Sequence, residues 1–215
     1  MTSIELASVG AVLQGIGSIA GALAIIGAAW FASNTFDSWR RQKLSERRIE
    51  QAERILTATY KARRALRYVR SPMLWAHELD AAEKELTERD DWPMADAALR
   101  RRMVSAQTYF DRLNRTLEER KSIDECLPMA RALFGEEVEN ALDELNRQFH
   151  LVSIAAEASV DAGNDRDFQR SLRADLSSAG GSKEPNKMNE TIEAQVAAIE
   201  AVCLPVLRLE GTLKG

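Results

Sequence analysis

LASVGAVLQGIGSIAGALAIIGAAWFASNTF, residues 6–36, contains no Asp, Glu, Lys or Arg. From Val9 to Phe31 every residue is apolar or small except Gln14 and Ser18. At 1.5 Å per residue that stretch makes a helix of about 35 Å, enough to cross a hydrocarbon core of about 30 Å with some tilt. Trp30 and Trp39 fall where interfacial aromatics are expected. A cleaved signal peptide needs a basic leader and a shorter apolar run. Here the leader is MTSIE, with no Lys or Arg. The stretch therefore predicts a retained transmembrane helix over about residues 9–31.

Flanking charge sets the expected orientation. No Lys or Arg precedes the stretch, whereas Arg40, Arg41, Lys43, Arg47 and Arg48 follow it. The excess of basic residues on the cytoplasmic side of membrane helices predicts an N-terminus outside. It places the rest of the chain in the cytoplasm, anchored at the inner membrane. From Asp37 to Arg70 there are eleven Lys or Arg against four Asp or Glu, so a net charge of −4 conceals a basic collar followed by an acidic body. Trp39 and the collar residues Arg40, Arg41, Lys43, Arg47 and Arg48 suit anionic lipid headgroups, which attract such residues by about 1 kcal/mol each. The lipid bilayer is the expected partner. Nucleic acid could use the same charges, but their place beside the membrane favours lipid.

The faces of the predicted membrane helix differ. Gly10, Gln14, Gly17, Gly21, Ala24 and Ala28 recur every four or three residues, making one stripe of mostly small side chains. Val12, Ile16, Ile19, Leu23, Ile26 and Trp30 form a bulky stripe elsewhere. Small residues, including the pair Gly17 and Gly21, let two helices approach closely. With one span per chain the partner helix belongs to another copy, so a homo-oligomer is expected, either a tight dimer or a wider ring.

Working outward, no Gly or Pro lies between Phe31 and Arg70, and one helix can run from the membrane to Arg70. Its second half carries Ala52, Leu56, Thr59, Ala62, Leu66 and Val69 on one face. Pro72 disfavours helix at Ser71 and ends it. Further helices are expected at about 76–88, 94–121, a short one opened by the capping box Ser122-Ile123-Asp124-Glu125 and closed near Gly135, 136–159 and 188–209. Leu99, Met103, Ala106, Phe110, Leu113 and Leu117 stripe one of these; Val138, Leu142, Leu145, Phe149, Val152 and Ala156 another; Ile192, Val196, Ile199, Cys203 and Val206 the last. Residues 161–187 are rich in Asp, Ser, Gly and Asn and read as a mobile loop with a short helix near 165–176. No run of β-branched residues alternates with period two, and aromatic residues, Gly and Pro are sparse. The expected fold is all-α: an N-terminal transmembrane helix continuing into a cytoplasmic four-to-five-helix bundle. In domain terms, residues 1–36 are tail and span, 37–70 a basic juxtamembrane helix, and 71–215 the bundle.

Chemistry-bearing motifs are few. Cys126 and Cys203 fit neither a metal-ligand spacing nor a disulfide framework, and read as buried thiols of a reducing compartment. Zinc, nucleotide-loop and serine-hydrolase signatures are absent, so no metal and no cofactor are expected. Candidate catalytic residues reduce to two Arg/His pairings, Arg70 with His77 and Arg147 with His150. In such a pair His would move a proton near neutral pH while Arg stabilises a charged phosphorane-like transition state.

YKARRALRYVRSP, residues 60–72, follows an apolar and then a charged helix, and Ala132-Leu133-Phe134-Gly135 precedes Glu136 and another helix. On these runs the chain resembles a group of uncharacterised bacterial single-pass membrane proteins, over about residues 10–155. In layout it is also similar to CRISPR-accessory membrane proteins that carry a HEPN-like bundle and resemble oligomeric pores. HEPN nucleases carry an Arg followed by His with four to six residues between. Arg70 and His77 meet that spacing, interrupted by Ser71-Pro72, whereas Arg147 and His150 are too close. The resulting expectation is a self-associating inner-membrane protein, at its sharpest a pore-forming or membrane-perturbing effector in bacterial defence. The alternatives are a membrane-tethered HEPN-like ribonuclease and a passive anchor for a cytoplasmic protein partner.

Overall fold

A computed structural model describes the backbone of residues 3–163, 165–179 and 185–208, and the side chains of these except 3–16, 18–20 and 32–34. The described residues are helical in every regular element save one 3₁₀ turn, as the sequence predicts. The helices are α1 (Ser3–Val69), α2 (Ala76–Leu86), α3 (Ala97–Arg115), α4 (Leu117–Asp124), α5 (Leu127–Phe134), α6 (Glu136–Asp161), α7 (Arg166–Leu176) and α8 (Lys187–Leu207), with the 3₁₀ turn at Trp92–Met94. The chain divides into two compact units, Met1–Arg48 and Ile49–Gly215. That division cuts the segment read as a juxtamembrane helix: its second half belongs to the core of the second unit.

In the first unit, residues 9–31 are helical throughout. Among the described residues, however, no helix is long and apolar enough to cross a membrane. Within the uncharged run the described side chains are those of Gly17, Gly21 to Phe31, Thr35 and Phe36, and all are exposed.

The second unit is built on α6, which packs against α3, α4, α5, α7 and α8. The reason lies in its apolar repeat: Val138, Leu142, Leu145, Phe149, Val152 and Ala156 are all fully buried. Burying one Phe or Leu side chain contributes about 1.5–3 kcal/mol. The expected stripe of α1, Ala52 to Val69, is buried in the same core, as are Ile192, Val196, Ile199 and Cys203 of α8. A smaller cluster joins Ala82 and Leu86 of α2 to Trp92, Ala95, Met103 and Val104. The Arg100 guanidinium lies 5.2 Å from the centre of the Trp92 ring.

Two expectations of the sequence reading differ in the structure. The helix expected over 94–121 begins later and is broken. Pro93 shapes the 3₁₀ turn, and Asp96 caps α3 by accepting from the Ala98 and Leu99 N–H groups at 2.9 and 2.7 Å. At Thr116 (φ −107°, ψ 17°) the hydroxyl donates to the Arg112 and Leu113 carbonyls and the N–H turns back to Leu113, closing the helix locally. Leu117, expected in the core, therefore starts a new helix and is exposed. Nor does Ser122 open a helix: it lies inside α4 and its hydroxyl donates to the Glu118 carbonyl at 2.8 Å. Glu125 pairs with Arg54 at 2.7 Å instead of capping, and α5 starts at Leu127 with Pro128 in its first turn. By contrast, the short helix expected near 165–176 forms as α7, capped by Asp165, whose carboxylate accepts from the Asp167 and Phe168 N–H groups. Part of the loop read at 161–187, residues 164 and 180–184, lies outside the described residues.

Candidate functional site

Two features of the chain stand out: an exposed apolar and basic stretch of α1 and a pair of buried arginines. The first lies on α1 in the first unit. Leu23, Ile25, Ile26, Trp30, Phe31, Phe36 and Trp39 are each more than half exposed. At 3.6 residues per turn, Leu23 to Phe31 project on every side of the helix. A helix that is apolar all round ordinarily lies inside a larger apolar body. Of the small stripe, Gly17, Gly21, Ala24 and Ala28 share a face of α1 and are exposed. A methyl group added at Gly17 or Gly21 would meet nothing within 4 Å. Gly10 and Gln14 lie within α1, but their side chains are outside the described residues.

The collar residues Trp39, Arg40, Arg41, Lys43, Arg47 and Arg48 are all exposed. Trp39 stacks on Phe36 with ring centres 5.8 Å apart, and Lys43 pairs with Glu46 at 2.7 Å. That hydrogen bond is the main cause holding the Glu46 carboxyl below its usual value. Exposed pairs of this kind contribute little to stability.

The second feature is a pair of buried arginines in the second unit, each closing the C-terminal end of a helix. Helix C-termini leave carbonyls without intrahelical partners and carry partial negative charge. Arg70 is 1% exposed and supplies α7 with its missing donors. Its Nε donates to the Asp175 carbonyl at 2.7 Å, and Nη2 to the carbonyls of Ala174 and Ser177 at 3.0 Å. Nη1 donates to Asn189 Oδ1 at 2.6 Å and Nη2 also to Asn186 Oδ1 at 3.0 Å, tying in the start of α8. The Arg70 carbonyl in turn accepts from the Ser178 N–H at 2.7 Å. Every one of those acceptors is neutral. Burial accordingly pulls the Arg70 guanidinium down to about 10, which leaves it charged at neutral pH.

Arg112 performs the equivalent task for α1 and the turn that follows. It is 1% exposed and makes a two-point pair with Glu78, Nη2 to Oε2 at 2.5 Å and Nε to Oε1 at 3.0 Å. Nη1 donates to the Val69 and Ser71 carbonyls at 3.4 and 3.1 Å, and Nη2 to Met73 at 2.7 Å. The guanidinium also lies over the Tyr68 ring at 5.5 Å. Glu78 accepts the Trp75 N–H at 3.1 Å, closing the N-terminus of α2. The Arg112 hydrogen bonds, foremost, hold the Glu78 carboxyl below its usual value.

The expected catalytic pairings look different in this setting. All of Arg70's guanidinium nitrogens are engaged on helix ends, while His77 is exposed on the first turn of α2. Arg147 is exposed and pairs with Glu144 at 3.1 Å; His150 is exposed three residues on. Among the described residues no hydrogen bond joins either arginine to its histidine. Sequence reading singled out Arg70 for chemistry and passed over Arg112 and Glu78. The available signal was position: Arg112 sits between Tyr109 and Leu113, on the buried side of α3. Both cysteines are buried free thiols, pushed up by burial, Cys203 to about 11, as poorly reactive core groups are. Among the described residues no cluster of His, Cys, Asp or Glu could hold a metal ion.

No protein-family model, no curated protein and no solved structure matches the chain.

Proposed function

We propose that the chain is a single-pass inner-membrane protein that self-associates through α1, with its N-terminus outside and its second unit in the cytoplasm. One observation carries this reading: from Leu23 to Phe31 the apolar side chains of α1 are all exposed among the described residues, within a run of sequence that has no charge. Hydrocarbon would cover them, and the collar beginning at Arg40 would then meet the headgroups. Helix-to-helix contact across Gly17, Gly21, Ala24 and Ala28 is the part of the reading that yields an oligomer. In its sharpest form the oligomer perturbs or perforates the membrane as a bacterial defence effector, with no enzymatic step.

Membrane flotation of the full chain, followed by mass measurement of the detergent-solubilised particle, tests the proposal. The chain is expected to float with lipid and to resist carbonate extraction. Gly17→Leu combined with Gly21→Leu is expected to change the particle mass. None of the described residues crowds either glycine, so a change in mass would point to contact with a neighbouring copy. Chain recovered without detergent in the soluble fraction would end the membrane reading. An unchanged mass would end the claim of self-association through this face.

A further inference from the structure

Arg63, Arg67 and Arg70 recur at four and three residues along α1, so all three face the same side, toward α8. They line a cavity of about 320 Å³ together with Ser178, Asn189 and Glu193, with Ile192 contributing apolar wall. We propose that this cleft binds a soluble small molecule through a phosphoryl group bearing two or more negative charges.

The argument is one of unbalanced charge. Among the described residues that line the cleft, three guanidinium groups meet one carboxylate, that of Glu193. Arg63 takes it at 2.5 Å, and Arg67 reaches it only at 3.4 Å. Arg67 is 65% exposed at its side chain, and among the described residues this long contact is its one ion pair. Beneath them Arg70 is buried and hydrogen-bonds to neutral acceptors, with the Asp175 carboxylate near enough to offset part of its charge. A buried cation that no carboxylate touches directly keeps part of its field, and that field extends into the nearest cavity. An anion entering the cleft would meet that field, the open fork of Arg67 and the Ser178 hydroxyl. Planar guanidinium forks match phosphate oxygens two at a time, which favours phosphoryl groups over compact anions such as chloride. The cleft has the size of a small-molecule site. It lies wholly in the second unit, and its occupancy does not depend on how the first unit is housed.

Titration calorimetry on the full chain in non-ionic detergent tests the assignment, with pyrophosphate and ATP in one arm and dihexanoyl phosphatidate in the other. Pyrophosphate or ATP is expected to bind. Arg67→Gln removes one charge-assisted contact and is expected to weaken binding about tenfold or more. Glu193→Gln removes the competing carboxylate and is expected to tighten it. Arg64→Gln, an exposed position outside the cleft lining, makes the same change of net charge and is expected to leave affinity within about twofold. Circular dichroism checks that the variants fold. No heat and no displacement at millimolar pyrophosphate or ATP would overturn the proposal. So would equal losses from Arg64→Gln and Arg67→Gln, which would signal unspecific attraction to the basic helix. Binding of phosphatidate alone would give the cleft to a lipid headgroup and overturn the soluble-ligand assignment.

Discussion

A single helix, α1, passes through two chemically opposite surroundings. Between Ile49 and Val69 its apolar stripe is buried: Ala52, Ile55, Ala62 and Val69 have no exposed surface, and its charged residues are exposed or partly so. Between Gly21 and Phe31 every described side chain is exposed, and the large apolar ones point in all directions. An amphipathic stretch specifies one covered face and one wet face. A stretch that is apolar all round specifies no wet face at all. The same secondary structure thus asks for a protein core in one half and for an apolar environment around the whole circumference in the other.

The strongest way to sharpen the contrast is to break the second unit where polar groups are committed to its interior. Arg112→Met leaves Glu78 buried without its partner and the carbonyls of Ser71 and Met73 without donors. A loss of about 3–5 kcal/mol is expected, read as a fall in the urea midpoint. The pair also has a pH signature. The Glu78 carboxyl is depressed in the folded chain, so the stability it adds is present above the ordinary carboxylate range. That stability is lost as pH falls through the depressed folded value. Glu78→Gln should flatten this part of the acid unfolding curve while leaving the slope at neutral pH unchanged. An Arg112→Met midpoint near the parent's would mean that apolar contacts alone hold the turn.

The next effect separates the halves. Ile26→Arg places a guanidinium amid the uncharged run, which costs a membrane helix about 2.5–3.5 kcal/mol at its centre. Flotation should fall steeply. Unfolding of the second unit should stay within about 0.5 kcal/mol, because Ile26 is not among the residues that form its core. A shift in that transition would show that the two halves are energetically coupled.

How much of this was legible in the sequence follows from which signals are periodic. The stripes of α6 and α8, and of α1 from Ala52 to Val69, were readable residue by residue, because burial of one face leaves a repeat near 3.6. The break at Thr116 was not. The apolar repeat continues through it to Leu117, and the competing hydroxyl-to-carbonyl bonds leave no trace in hydropathy. Ser122 misled for the same reason: a hydroxyl that bonds backward inside a helix has the same sequence signature as one that caps. The arginines were misread in kind. Spacing alone made Arg70 a candidate for catalysis, and only tertiary placement reveals that its donors close α7 and the start of α8. Arg112 drew no attention because a charge on a helix is ordinarily solvated, and its partner Glu78 lies 34 residues away.

The smallest expected effect sets one glycine from each half side by side. Gly27 and Gly135 have the same free space, with nothing within 4 Å of an added methyl, so sterics with neighbours cannot tell them apart. Their backbones can. Gly135 joins α5 to α6 at φ +94°, with its N–H shared between the Ala130 and Arg131 carbonyls at 3.2 Å. A side chain there is forced into a conformation that L-residues avoid, and Gly135→Ala should cost about 1–2 kcal/mol in urea unfolding. Gly27 is helical, so Gly27→Ala favours helix locally by about 0.5–1 kcal/mol and should leave the second unit's transition unmoved. If Gly135→Ala proved neutral, the α5–α6 junction would be able to relax out of the left-handed region, and the entry angle of α6 would be set by its buried face rather than by this residue.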